Sequence, residues 1–192
     1  MANQQIHASA KIMSGVILEG EIIIGANTYI GAGATITSNA GKIEIGDNVV
    51  IMENAIIRAS QKFNCSIGNH VLVGPKACIT GATIDNGCFI ATNATIFHGT
   101  QLGEGSVVAV NGVVHIASVC GKETFVPINH IAFGNPAKIY SPAEVPQLHA
   151  GLNTIGFSTY VYDIDTTGLS RLQVYTELTK RFLKQNNPNY IE

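Results

Sequence analysis

An aliphatic residue returns every six positions along most of this chain, and that period constrains the fold more than any other feature. The series runs Ile6, Ile12, Leu18; Ile24, Ile30, Ile36; Ile45, Ile51, Ile57; Ile67, Val73, Ile79; Ile84, Ile90, Ile96; and Leu102, Val108, Val114. Small or polar residues fill the intervals, as in Ile24-Gly25-Ala26-Asn27-Thr28-Tyr29. A helix needs apolar residues at steps of three and four, so a six-residue step with Gly or Asn between suits short strands that meet at corners. Three six-residue sides make one coil of eighteen residues, and stacked coils place each aliphatic above its counterpart. The expected fold is an all-β solenoid, a parallel β-helix of about six coils. Gly turns its corners cheaply because it tolerates positive φ. No single side is stable alone, so neighbouring coils supply the stability and the ends need caps.

The period breaks between Ile36 and Ile45 and again between Ile57 and Ile67. Both breaks are expected to be loops. The second, Ser60 to Ser66, is polar and reads either as a tolerated insertion or as an overhang above a surface site. Beyond Val114 the step fades through Val119 to Pro127, where a coil closes irregularly, and Pro136 and Pro142 mark an exit. Leu169, Leu172, Tyr175, Leu178 and Phe182 then recur at steps of three and four, which predicts an amphipathic helix over about 169–184. Residues 1–140 are thus expected to form the β-helix domain. Residues 141–192 form a C-terminal extension whose helix packs on it. The stretch Leu148 to Asp165, with Phe157, Tyr160 and Tyr162, matches no element.

With 46% apolar and 12% charged residues among 192, the chain is too hydrophobic for disorder and too interrupted by Gly, Asn and Thr for a membrane span. Met1 to Lys11 lacks the basic start and apolar centre of a signal peptide, so a cytoplasmic location is expected. The net charge of −2 comes without a basic stripe, which argues against nucleic acid and anionic membrane as partners. Cys65, Cys78, Cys88 and Cys120 show no C-x-x-C spacing and read as free thiols.

Three stretches carry a family likeness: Ile67-Gly68-Asn69-His70-Val71-Leu72-Val73-Gly74, Ile79-Thr80-Gly81-Ala82-Thr83-Ile84 with its five-residue step, and Gly134-Asn135-Pro136-Ala137-Lys138. From about Ala8 to Ser141 the chain resembles the γ-class carbonic anhydrase-like branch of the hexapeptide-repeat transferase superfamily. The resemblance implies a left-handed β-helix, a homotrimer and a C-terminal helix along the coil. The left hand comes only from the resemblance, since the general preference for crossovers is right-handed.

Catalytic members of that branch hold a zinc-type metal between subunits with three histidines. The matching places here hold Arg58, Pro75 and Thr80, none an ordinary zinc ligand. Shifting the register one coil later gives Thr80, Thr92 and Phe97, and an earlier one gives Glu19, Ala32 and Thr37. A family Arg-Gly-Asp corresponds to Thr37-Ser38-Asn39 and a family Gln to Met52, while Glu53 alone keeps its acidic character. No metal is therefore expected, and carbonic anhydrase activity loses its physical basis.

In hexapeptide acyltransferases a histidine commonly serves as general base, stripping a proton from a hydroxyl or amine that attacks an acyl thioester. Of His7, His70, His98, His115, His130 and His149, the best placed is His98, at a third-side corner one coil beyond the degenerate metal position. Its bland alternative is a surface or trimer-contact residue. Arg58 reads either as a partner for Glu53 or as a bidentate grip on a carboxylate or phosphate. Glu53, Arg58 and Thr80 are the candidate substrate-binding residues. The glycines form no phosphate-cradling motif. Two functions stay open: an acyltransferase that needs no cofactor but takes acetyl-CoA or another acyl-CoA as donor, and a non-catalytic trimeric scaffold that kept the fold and lost the metal.

Overall fold

The computed structural model describes residues 3–115, 124–144 and 157–185. Across these the six-residue step becomes a left-handed parallel β-helix of about six coils, with a helix from the C-terminal part of the chain laid on one side. Every expected ladder holds. On the first side Ile6, Ile24, Ile45, Ile67, Ile84 and Leu102 stand in register, each over the next. Ile12, Ile30, Ile51, Val73, Ile90 and Val108 do the same on the second side. On the third side the column is Leu18, Ile36, Ile57, Ile79, Ile96 and Val114. From the second coil onward these side chains are buried and form one continuous core. That burial is the main stabilising contribution, at roughly 1.5 to 3 kcal/mol per fully buried aliphatic side chain.

The corners follow a rule of their own. Three residues after the ladder position the backbone turns left-handed, at Asn27, Asn48, His70, Gly87 and Gly105 after the first side and at Gly15, Gly33, Asn54, Lys76, Asn93 and Asn111 after the second. Asn suits this region because its short side chain satisfies local hydrogen bonds there. The first corner carries a further column: Asp47 Oδ1 accepts from Ala26 N, Asn69 Oδ1 from Asp47 N and Asn86 Oδ1 from Asn69 N, at 2.6 to 2.8 Å. Each coil thereby satisfies a backbone donor of the coil before it.

The two breaks resolve differently from one another. The first, expected as a loop, is instead carried inside a continuous strand, Thr35–Ile45, which turns the third corner at Asn39 and Ala40 with positive φ. Its neighbour Ile17–Ile24 absorbs the mismatch by a register shift between Glu19 and Glu21. The second break is a true loop. Beyond Val114, Thr124–Val126 and Ile131–Gly134 add a further partial coil, and Ile131–Gly134 pairs antiparallel with Ala137–Tyr140 through the Gly134-Asn135-Pro136-Ala137 turn.

Among the described residues that follow there are two helices, α1 (Phe157–Tyr162) and α2 (Arg171–Gln185). Of the stretch that matched no element, residues 148–156 lie outside the described residues and 157–162 form α1. Helix α2, against the predicted 169–184, buries Val174, Tyr175, Leu178 and Leu183 on Tyr29, Val50, Met52 and Leu72 of the second side. Ser170 caps it, accepting from Gln173 N while Gln173 Oε1 accepts from Ser170 N. Among the described residues no helix is long and apolar enough to cross a membrane.

Candidate functional site

The third corner gathers most of the sequence-derived candidates. Arg58, Thr80 and Phe97 follow the ladder residues Ile57, Ile79 and Ile96, so the first two are Cα neighbours on adjacent coils. Gly81 N donates to Arg58 O and Gly99 N to Gly81 O, both at 2.8 Å, which stacks three coils at this corner with Arg58 above and His98 below. Arg58 is exposed, while the Thr80 hydroxyl is spent on Ile96 O at 3.0 Å.

His98 is exposed and differs from the other histidines whose ring contacts are defined. His7 Nδ1 sits 2.9 Å from Ser9 Oγ, and His130 Nδ1 sits 2.9 Å from Ile128 O. His70 lies 2.9 Å from Thr176 Oγ1 on α2; that hydroxyl donates its single hydrogen to Leu172 O, so His70 Nδ1 is the donor. All three have a ring nitrogen engaged by a neighbouring group. Neither ring nitrogen of His98 hydrogen-bonds to any described residue, and its imidazole packs at a tilt against Phe63, with centroids 5.5 Å apart and planes inclined by 52°. His115, one coil on, meets Phe97 edge-on at 5.8 Å. His149 and Cys120 lie outside the described residues.

Phe63 was not singled out by the sequence, and it comes from the loop that breaks the period. That loop closes on itself, with Ser60 N donating to Phe63 O at 2.8 Å and Phe63 N to Ser60 O at 3.1 Å, while Asn64 Oδ1 accepts from Lys42 N at 3.0 Å. Lys62 Nζ lies 5.2 Å from the Phe63 ring centroid. An aromatic residue inside a polar insertion was the available signal.

Glu53 does not join this group. It sits at the second corner, where its charge adds to burial in pushing the Tyr29 and Tyr162 hydroxyls up from their ordinary value. Glu53 and Arg58 form no ion pair with each other, because the corner turns the acid toward α1 while the arginine projects from the third side. Arg58 acts instead on Cys78, whose thiol is pushed up by burial with the guanidinium opposing. Cys65, Cys78 and Cys88 are free thiols, and burial raises the Cys65 thiol to about 11, so none is an activated nucleophile.

The three places that correspond to metal ligands do not fit a zinc ion. Pro75 offers no side-chain donor atom, Arg58 is a cation, and a neutral threonine hydroxyl such as that of Thr80 is not an ordinary zinc ligand. Among the described residues no three His, Cys, Asp or Glu side chains cluster as a ligand set.

Comparison with known proteins agrees with this architecture. The family model "Bacterial transferase hexapeptide (six repeats)" matches residues 5–38, and "Hexapeptide repeat of succinyl-transferase" matches 65–98 and 82–115. Carnitine operon protein CaiE of Escherichia coli K12 is 23% identical over 184 residues, spanning 95% of this chain and 88% of its own length. Gamma carbonic anhydrase 2, mitochondrial, of Arabidopsis thaliana is 29% identical over 178 residues, spanning 87% of this chain and 62% of its own. A solved hexapeptide transferase family protein from Anaplasma phagocytophilum shares the fold, with a TM-score of 0.70 at 16% identity over 97% of this chain and 93% of its own. The ladders and corners of this chain are those of a hexapeptide-repeat β-helix, and over these stretches the chain is similar to bacterial hexapeptide transferases and to γ-class carbonic anhydrases.

Proposed function

We propose that the protein is an acyltransferase that moves an acyl group from acetyl-CoA or another acyl-CoA to a hydroxyl or amine, with His98 as general base. The observation that carries this reading is the state of His98: exposed, packed on one flank, and with both ring nitrogens free of partners among the described residues. A neutral imidazole nitrogen takes the acceptor proton as the acceptor oxygen or nitrogen attacks the thioester carbon; collapse of the tetrahedral intermediate then expels the coenzyme A thiolate, which recovers that proton. Arg58, exposed on the same corner and without an ion-pair partner among the described residues, supplies a guanidinium for an anionic group of either substrate. Thr80 offers the lone pairs of its hydroxyl, whose hydrogen is given to Ile96 O. Glu53 belongs to this site only if a second chain brings its second corner against the third corner of the first.

That arrangement follows from the proposed homotrimer. Helix α2 covers Tyr29, Val50 and Leu72 of the second side, and the outward row of the first side is mostly polar, Gln5, Glu44, Ser66, Thr83 and Gln101 with Ile23 and Phe125. The third side instead exposes Ile17, Ile56 and Phe97, and an apolar side left bare is the natural seat of a closed three-fold ring.

One observation favours a second reading, a non-catalytic trimeric scaffold. Among the described residues no carboxylate hydrogen-bonds to His98 to hold its tautomer, and the metal positions carry Arg58, Pro75 and Thr80, none an ordinary zinc ligand. Thermal stability with coenzyme A and acetyl-coenzyme A separates the two. A ligand at 100 times its Kd adds roughly 2.7 kcal/mol to the native state. The transferase reading expects a saturable rise in Tm that His98→Ala abolishes. No rise with either ligand sinks it in favour of the scaffold.

A further inference from the structure

We infer that Phe63, on the loop that interrupts the repeat after the third coil, is a positioning residue for His98, holding the imidazole where a hydrogen-bonded carboxylate holds it in other histidine bases. The inference rests on the reading of His98 as the base. An exposed histidine without a hydrogen bond is free to rotate about χ1 and χ2, and such freedom costs rate, because proton transfer needs the nitrogen within hydrogen-bond reach of the acceptor. Here a different restraint is built in. Phe63 reaches past the fourth coil to the fifth and lies against the imidazole at 5.5 Å.

The intervening coil is shaped for this contact. Gly81 has positive φ, and a Cβ on it would fall 2.5 Å from Phe63 Cβ and 2.9 Å from His98 Cδ2. Any side chain there would push the two rings apart or out of the corner. Gly99, also at positive φ, leaves room at the other end of the ring, where a Cβ would stand 3.4 Å from Phe63 Cε1. Two successive coils thus present bare backbone at the one corner where the loop descends. Because Cδ2 is the imidazole atom nearest Gly81, the Nδ1–Cε1 edge faces away from the corner. The loop is anchored at both ends, by the Ser60–Phe63 backbone pair and by Asn64 on Lys42, so Phe63 does not swing freely. Lys62, above the same ring, adds a cation–π contact that further holds it.

The test combines residue-resolved carbethoxylation by diethyl pyrocarbonate with kinetics, on full-length wild type, Phe63→Ala, Phe63→Tyr and Phe63→Leu. His7 serves as the internal reference. Phe63→Ala is expected to raise the His98 modification rate several-fold relative to His7, and Phe63→Tyr to restore it. In acyl transfer, Phe63→Ala should lower kcat with KM kept, again restored by Tyr. Should Phe63→Ala fail to fold, Phe63→Leu keeps apolar volume without a ring: loss of the upfield ring-current shift on the His98 imidazole protons, with faster modification, supports the clamp. Unchanged His98 reactivity and shifts in a folded Phe63 variant overturn it. The transferase reading fails separately, if acetyl-CoA neither stabilises the wild type nor protects His98 from modification.

Discussion

Left-handed backbone at the third place after the first- and second-side ladder residues from Ile12 onward is the smallest rule in this molecule, and two of the residues that fill it are informative. His70 and Lys76 occupy positions that Asn or Gly fill at every other described first and second corner named above. A non-glycine residue there carries strain on the order of 1 kcal/mol, so something else must hold it. For His70 the compensation is visible in its bond to Thr176 on α2. Buried thiols supply a second residue-scale consequence. Burial raises Cys65 to about 11 in the folded chain, from 9.0 when free. A raised thiol pKa means that the unfolded chain ionises first. The stabilisation is therefore complete below pH 9 and disappears as the pH climbs to about 11, a loss of roughly 2 to 3 kcal/mol. Urea unfolding of wild type against Cys65→Ala across that window should show the excess loss in wild type alone; parallel curves would refute it.

At the scale of elements, α2 is a cover for one side rather than a part of the coil. Leu178 and Thr179 are its most buried described residues, and the Thr179 hydroxyl shares its one hydrogen between Tyr175 O at 2.8 Å and Asn48 O at 3.1 Å. Removing the Leu178 side chain should cost about 2 to 5 kcal/mol of docking energy. Because a solenoid's coils depend mainly on their neighbours, that loss is expected to free α2 while leaving the ladders intact. Hydrogen exchange of Leu178→Ala checks it: fast exchange confined to α2 is the expected pattern, and exchange spread through Ile30, Ile51 and Val73 would contradict it. The elements also show what the sequence made legible. All eighteen ladder residues were readable, because a period fixed by strand and corner length leaves a mark at every step. The break after Ile36 was read as a loop, since counting detects extra residues but not whether Asn39 and Ala40 can turn within a strand. The candidate site was readable only in part. Arg58, Thr80 and His98 fall out of the coil register, but Phe63 belongs to an aperiodic insertion and meets His98 only through the stacking of coils. Glu53 shared a coil with Arg58 in sequence, yet a corner separates them in space.

For the whole molecule, the three sides differ: α2 lies on the second, the outward row of the first is mostly polar, and the third exposes large aliphatic residues. The exposed Ile17 and Ile56 lie on it, in one outward row linked through Thr35. Light scattering at micromolar concentration is expected to give three chain masses for the wild type, and Ile17→Asp with Ile56→Asp should shift the species toward one. A wild-type monomer would remove the trimer. The stacking carries one more consequence. Groups that share a corner are spaced by whole coils, about 4.8 Å apiece, the interval between paired strands. Arg58 and His98 therefore stand on a ruled scale. Gain or loss of a coil between them changes their separation in discrete increments and leaves their bearing nearly unchanged, so the reach of such a site is set by counting rather than by bending.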